Sequence, residues 1–168
     1  MARNVEIKAR VESLAAIAQK AAAIATSGPV EIAQDDTFFA CPSGRLKLRA
    51  FSADRGELIF YRRADTQAPK ASFYVRSGTS QPDSMREALS LAYGVTGRVR
   101  KQRTLYLVGR SRVHLDRVEG LGDFVEIEVV LEDTYDVDAG AREAHELMAR
   151  LGIDASQLIA GAYVDLLA

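Results

Sequence analysis

Glu126 and Glu128 sit at alternate positions of the stretch Gly120 to Glu132, which reads Gly-Leu-Gly-Asp-Phe-Val-Glu-Ile-Glu-Val-Val-Leu-Glu. Strand side chains alternate faces, so the two carboxylates share one face, about 7 Å apart along the strand. Val125, Ile127, Val129 and Leu131 take the other face, the pattern of a strand buried on one side. Paired carboxylates at that reach suit a hard divalent cation such as Mg²⁺, which takes oxygen ligands and keeps several waters. The plain alternative is the solvated face of an edge strand. The other strands decide between the two.

The elements that position this pair repeat its alternation. Residues 3–11 place Asn4, Glu6, Lys8 and Arg10 on one face and Val5, Ile7, Ala9 and Val11 on the other. Arg45, Lys47 and Arg49 share a face opposite Leu46 and Leu48, and a strand over 57–63 ends in Arg62-Arg63, of which only one can point inward. Further strands are expected over 35–41, 71–76, 98–108 and 111–118, the last two joined as a hairpin at Gly109-Arg110. The first member of that hairpin carries Arg98, Arg100, Lys101 and Arg103; the second aligns Arg112, His114 and Asp116 against Val113 and Leu115. Ser13 caps a helix whose stripe Leu14, Ile17, Ala21 and Ile24 ends before Gly28-Pro29. Pro82 opens a helix to Tyr93, a third runs from Asp138 or Ala139 to Gly152, and a fourth is expected from Asp154 or Ser156 to Leu167, burying Leu158, Ile159, Ala162, Tyr163 and Leu166.

Eight strands with three or four helices define an α+β protein dominated by an antiparallel sheet. Its charges are sorted. Residues 45–117 carry sixteen basic and six acidic side chains, residues 118–168 two basic and twelve acidic, and the whole chain has a net charge of −1. Helices covering the apolar face leave the charged face either open to water or curled into a barrel with a polar lumen. Carboxylates on the first and last strands and cations on the middle ones favour the barrel. Closure brings Glu6, Glu126 and Glu128 together, with cations on the facing wall. Acids opposite Arg and Lys fit a metal–polyphosphate complex, whose oxygens both groups neutralise.

The remaining signals bound the answer. The 168 residues are one domain's length, expected to form a single domain over 1–168. One cysteine, Cys41, excludes an internal disulfide, and two histidines make a four-ligand zinc site a poor fit. No apolar run approaches the ~20 residues of a membrane span and no signal-peptide core opens the chain, so a cytoplasmic protein without a membrane partner is expected. Arg98 to Arg103 splits its cations between two faces, which argues against a nucleic-acid surface. Tyr61, Tyr74, Tyr106 and Phe60 are available to stack on a base, and His114 to shuttle protons, although strands favour aromatics for packing alone.

At these residues the chain resembles the CYTH superfamily, the triphosphate tunnel metalloenzymes, which includes class IV adenylyl cyclases and thiamine triphosphatases. Asn4-Val5-Glu6-Ile7-Lys8 resembles the family's Glu-x-Glu-x-Lys motif, Arg45 to Arg49 its basic strand, and Lys101 with Arg103 its later paired basics. Val113 to Asp116 and Phe124 to Glu128 resemble its late acidic strands, and Gln34 to Phe39 and Ala162 to Leu167 are similar to landmarks of the cyclase-like branch. The resemblance implies an eight-stranded antiparallel tunnel that binds a small-molecule triphosphate. It implies Mg²⁺ or Mn²⁺ held by Glu6, Asp116, Glu126 and Glu128, with Asn4 as a further ligand. It implies Lys8, Lys47, Arg49, Arg63, Lys101 and Arg103 as phosphate clamps, with Glu6, Lys8, Glu126 and Glu128 as the catalytic set. The expected reaction is conversion of ATP to cyclic AMP and pyrophosphate; the alternatives are hydrolysis of an inorganic or organic triphosphate, thiamine triphosphate included, and a triphosphate-binding module with weakened catalysis. The last is motivated by Asn4, which stands where the motif has its first glutamate and brings an oxygen without a charge. Oligomeric state, a homodimer included, is left open.

Overall fold

The computed structural model describes residues 2–168. Eight strands form one antiparallel sheet: β1 (Ala2–Arg10), β2 (Ser27–Phe39), β3 (Arg45–Ser52), β4 (Arg55–Arg63), β5 (Lys70–Thr79), β6 (Val95–Val108), β7 (Ser111–Val118) and β8 (Gly122–Leu131). The sheet closes on itself in the order β1-β5-β4-β3-β2-β6-β7-β8. The closing seam pairs β1 with β8 in the register Glu6 to Glu128 and Lys8 to Glu126. Helices α1 (Leu14–Ile24), α2 (Pro82–Tyr93), α3 (Val137–Arg150) and α4 (Tyr163–Leu167) lie against the ring.

The apolar core lies outside the ring. Val5, Ile7, Val113, Leu115, Val125, Ile127 and Val129 turn outward from β1, β7 and β8 and pack under Ile17 and Ala21 of α1, Ala144 and Leu147 of α3, and Leu151 just after it. That arrangement follows from period-2 strands meeting period-3.6 stripes, and it leaves the alternate, charged positions for the interior. Gly140 lets α3 approach this closely: a Cβ there would lie 2.9 Å from both Leu131 and Val5. A second cluster, Phe38, Val99, Val118, Phe124, Ala162, Tyr163 and Val164, stops one end of the ring.

Several expected boundaries shift by one to three residues, and two elements differ more substantially from expectation. Strand β2 begins at Ser27 rather than at 35, because Val30 to Gln34 extend the ladder along β6, pairing with Leu105 to Lys101. The fourth helix is not continuous from Asp154. A 3₁₀ turn over Ala155–Gln157 is followed by an extended stretch before α4. The strand edge competes for that stretch: Leu158 bridges Ala9, and the Ile159 amide donates to the Lys8 carbonyl at 3.0 Å. The break rotates α4, so Val164 is buried and Leu166 is exposed.

Candidate active site

One cavity of about 260 Å³ runs inside the ring. Asn4, Glu6 and Lys8 of β1, Arg112 and His114 of β7, and Glu126 and Glu128 of β8 form one wall. Lys47 and Arg49 of β3, Arg63 of β4, and Lys101 and Arg103 of β6 reach it from the others. The structure thus gathers Asn4, Glu6, Lys8, Lys47, Arg49, Arg63, Lys101, Arg103, Glu126 and Glu128 around one space. Asp116 lies fully buried behind that lining. The register also separates the two adjacent arginines of β4. Arg63 points inward onto Glu6, while Arg62 is exposed and donates to the Ser43 carbonyl.

Every cation named above has a partner. Lys47 and Arg49 converge on Asp36, with Lys47 Nζ at 3.0 Å from Oδ2 and Arg49 Nε and Nη2 each at 2.8 Å from the carboxylate. Lys101 Nζ stands 3.8 Å from the same carboxylate. Arg103 grips Asp116 in a two-pronged pair at 2.7 and 2.8 Å and reaches Glu126 at 3.4 Å. Arg112 pairs with Glu128 at 2.8 Å. Lys8 donates to the Gly161 carbonyl at 3.0 Å and lies over the Tyr163 ring, 4.0 Å from its centroid. The Tyr163 hydroxyl in turn donates to Asp116 at 2.8 Å. The lining nevertheless holds eight Lys and Arg side chains against five carboxylates. Arg76 among them is exposed and buried Asp116 answers Arg103 from behind the lining, but the surplus of positive charge along the lumen still favours a polyanion, because fields are screened less inside a protein than in water.

The protonation balance follows from these contacts. Burial pushes the Asp36 carboxyl up, but Arg49, Lys47 and Lys101 outweigh it and hold the group well below the usual range. Burial lowers Lys47 and Lys8 to about 8 each, with Asp36 and Glu126 respectively opposing the shift. Asp116 is drawn down to about 2, its burial overcome by Arg103. Glu6 is raised, chiefly by burial, with Glu128 and Glu126 opposing the relief given by Arg63. Burial, then Arg103, lowers His114 to about 4, which leaves its imidazole neutral at pH 7.

A neutral imidazole beside carboxylates is a donor set for a metal ion. Ligand atoms of His114, Glu126 and Glu128 lie within 4.8 Å of one another. Two buried polar atoms beside them, Asn4 Oδ1 and His114 Nδ1, make no hydrogen bond. Buried polar atoms are rarely left in that condition without a ligand or water to meet them, so these residues fit a divalent cation. The structure groups His114 with Glu126 and Glu128, whereas Asp116 is engaged by Arg103 and Tyr163, and Glu6 by Arg63. Sequence reasoning singled out neither Asp36 nor Tyr163 for the site. Asp36 is hidden by its neighbour Asp35, which faces outward onto Arg98, and Tyr163 by the assignment of its segment to a packing helix. Of the aromatics, Tyr61 and Tyr74 line the cavity and Tyr106 belongs to the outer core.

A closed antiparallel ring whose lumen joins a cation wall to a cluster of metal-ligating residues has the architecture of a tunnel. The CYTH domain profile matches residues 2–163, and the chain belongs to the CYTH family. It is 31% identical over 74 residues to the adenylate cyclase CyaB of Aeromonas hydrophila, a match that spans 44% of this chain and 39% of that protein. Among solved structures, a Pyrococcus horikoshii OT3 protein superposes with a TM-score of 0.86 at 24% identity, covering 97% of this chain and 98% of the other. The Hippeastrum protein HpAC1, described as having a dominant triphosphatase activity, superposes with a TM-score of 0.63 at 16% identity, covering 91% and 89%. At such identities the two structures speak for the fold. Among the described residues no helix is long and apolar enough to cross a membrane.

Proposed function

We propose that this protein is a divalent-metal-dependent enzyme acting on a nucleoside or organic triphosphate, and that its reaction is the cyclisation of ATP to cyclic AMP and pyrophosphate. The observation that carries the substrate class is the excess of eight cations over five carboxylates lining one cavity that also holds a metal-type cluster. The choice of cyclase rests on the identity with CyaB, 31% over the matched segment.

Phosphoryl and nucleotidyl transfer ask a protein for positioning and charge stabilisation more than for covalent chemistry. Lys47, Arg49 and Lys101 form one clamp, held in place by Asp36; Arg63 and Lys8 form a second, held by Glu6 and the Gly161 carbonyl. Phosphate oxygens add charge-assisted contacts to these cations in a desolvated space. Glu126, Glu128, His114 and Asn4 are the residues that would hold the metal, which when bound neutralises phosphate oxygens and polarises the phosphorus they surround. With the triphosphate held, the ribose 3′-hydroxyl attacks the α-phosphate, the bond to pyrophosphate breaks in line, and the hydroxyl proton is released. The cation wall stabilises the charge that collects on the leaving pyrophosphate.

The second reading places water in line with the γ-phosphate of the same clamped substrate, giving diphosphate and phosphate. It is favoured by the triphosphatase activity described for HpAC1, which shares the fold. Incubation with ATP and Mg²⁺ or Mn²⁺, followed by chromatographic separation of nucleotides, decides. Cyclic AMP with pyrophosphate is the expected result. ADP with phosphate overturns the cyclase in favour of the triphosphatase, and bound ATP without product shows a binding module.

A further inference from the structure

Glu128 is surrounded unlike any other carboxylate of the lumen. His114 Nδ1 stands 3.7 Å from its Oε1, and the Asn4 amide nitrogen 3.4 Å from its Oε2. Each of these neighbours carries a buried polar atom without a partner, Asn4 Oδ1 and His114 Nδ1, and both side chains are more than nine-tenths buried. The Glu126 carboxylate completes the group: one ligand atom from each of His114, Glu126 and Glu128 falls within 4.8 Å of the others. Arg112 occupies the Oε2 side of Glu128 at 2.8 Å, which leaves Oε1, the edge facing His114, for a ligand. A half-turn of the Asn4 amide exchanges its nitrogen for its oxygen on that carboxylate.

We infer that His114, Asn4, Glu126 and Glu128 form one mixed nitrogen–oxygen site that binds Mn²⁺ in preference to Mg²⁺, an inference that rests on the metal-dependent triphosphate reading above. Two carboxylates match the charge of one divalent ion. The amide and the imidazole add donors without adding charge. Mg²⁺ is a small, hard ion that demands near-ideal octahedral oxygen ligation and keeps its waters. An imidazole nitrogen contributes little to it and more to the first-row transition ions, while the carboxylates and the amide oxygen are well suited to Mn²⁺. The neutral Asn4 on β1 and the imidazole of His114 on β7 therefore act together. The charged oxygen that Asn4 lacks is replaced by a nitrogen ligand from the far side of β8, and the replacement moves the site's preference away from Mg²⁺.

Pulsed electron paramagnetic resonance on the full chain with Mn²⁺ alone tests this directly, because a nitrogen nucleus bound to the paramagnetic ion modulates its echo. The expected result is a nitrogen modulation in the wild type that disappears in His114→Gln. Calorimetry should show the Mn²⁺ Kd of that variant raised at least about tenfold, the lower end of what losing a supporting group costs a metal site, with the Mg²⁺ Kd changed less. Mn²⁺ bound without nitrogen modulation in the wild type overturns the mixed site and leaves the triphosphate reading standing. Modulation that persists in His114→Gln also overturns it, by placing the nitrogen elsewhere. No Mn²⁺ binding, either alone or with a non-hydrolysable ATP analogue, overturns both this site and the metal dependence on which it rests.

Discussion

Asp36 and Glu128 are both carboxylates of the same lumen, on opposite walls, and they are used in opposite ways. Asp36 is saturated. Lys47 and Arg49 make three hydrogen bonds to it and Lys101 adds a third cation at 3.8 Å. Glu128 has a single arginine on one oxygen, and its other neighbours are an amide and an imidazole, each with a buried polar atom that has no partner. A carboxylate whose two oxygens are both held by cations is poorly placed to ligate a metal as well; it fixes those cations in space. A carboxylate beside polar atoms without partners is suited to share an ion with them. Counting acids in a cavity therefore does not locate its metal; the partners of each acid do.

The contrast breaks most visibly at Asp36. Replacement by asparagine leaves Lys47, Arg49 and Lys101 buried around a neutral amide, and removing one partner of a buried charge pair costs about 3–5 kcal/mol. Urea unfolding should show a loss of that size, and turnover should fall about 10²-fold as the clamp drifts. The pH dependence checks the cause. The folded pKa of Asp36 lies below its unfolded value, so the unfolded chain binds more protons and stability rises with pH through the carboxylate range. That contribution is lost as pH falls through the folded value. Asp36→Asn should therefore flatten the acid limb of the stability curve, and a variant that melts like the wild type at pH 7 would show that Asp36 does not hold the clamp.

The double change Glu126→Gln, Glu128→Gln is the counterpart. It should abolish metal-dependent turnover at a smaller stability cost than Asp36→Asn. Against their burial, the cations around Glu126 and Glu128 hold both carboxyls below the usual range, so their charge is favourable. The mutual repulsion of the pair offsets part of that gain, and glutamine leaves Arg112 and Arg103 a neutral acceptor. Calorimetric titration with Mn²⁺ and thermal melting read the two halves separately. A stability loss as large as that of Asp36→Asn would make the two walls equivalent. Tyr163 lies between these extremes. Tyr163→Phe keeps the ring under Lys8 and removes the hydrogen bond to Asp116, for an expected loss of about 1.5 kcal/mol. Tyr163→Leu should cost about 1 kcal/mol more, because the ring face is lost to Lys8 as well. Equal melting of the two variants would show that the ring does not hold Lys8.

Much of this arrangement was legible because alternation is a physical rule with one consequence per strand. In β1, β3, β7 and β8 an unbroken alternation assigns Glu6, Lys47, Arg49, Asp116, Glu126 and Glu128 to the side opposite the apolar residues. Where alternation fails, so does the inference. Asp35 and Asp36 are adjacent and followed by Thr37, Phe38 and Phe39, so nothing local says which carboxylate faces inward; the register with β3 and β6 does. Arg62 and Arg63 pose the same problem, settled by pairing with β5. The extended stretch before α4 was hidden for a different reason. Residues 158–161 leave the helix for hydrogen bonds to the β1 edge, a competition between distant segments that no local periodicity records.

The smallest expected effect is the sharpest test of the comparison, because it adds a charge to the Glu128 side instead of removing one from Asp36. Asn4→Asp supplies a third carboxylate within reach of Glu128, on a chain position already buried beside it. With Mn²⁺ present the added anionic oxygen should tighten binding about tenfold, as ligand charge count tunes other oxygen-ligand sites. Without the ion, the new carboxylate repels Glu128 and is desolvated, so the melting temperature measured in a chelator should fall below that of the wild type. The two shifts have one origin and opposite signs. A site that binds no metal yields only the second. If Asn4→Asp melts lower in chelator and calorimetry finds no gain for Mn²⁺, Asn4 is a hydrogen-bond donor to Glu128 and nothing more, and the two walls of the lumen differ less than the unpartnered atoms beside Glu128 imply.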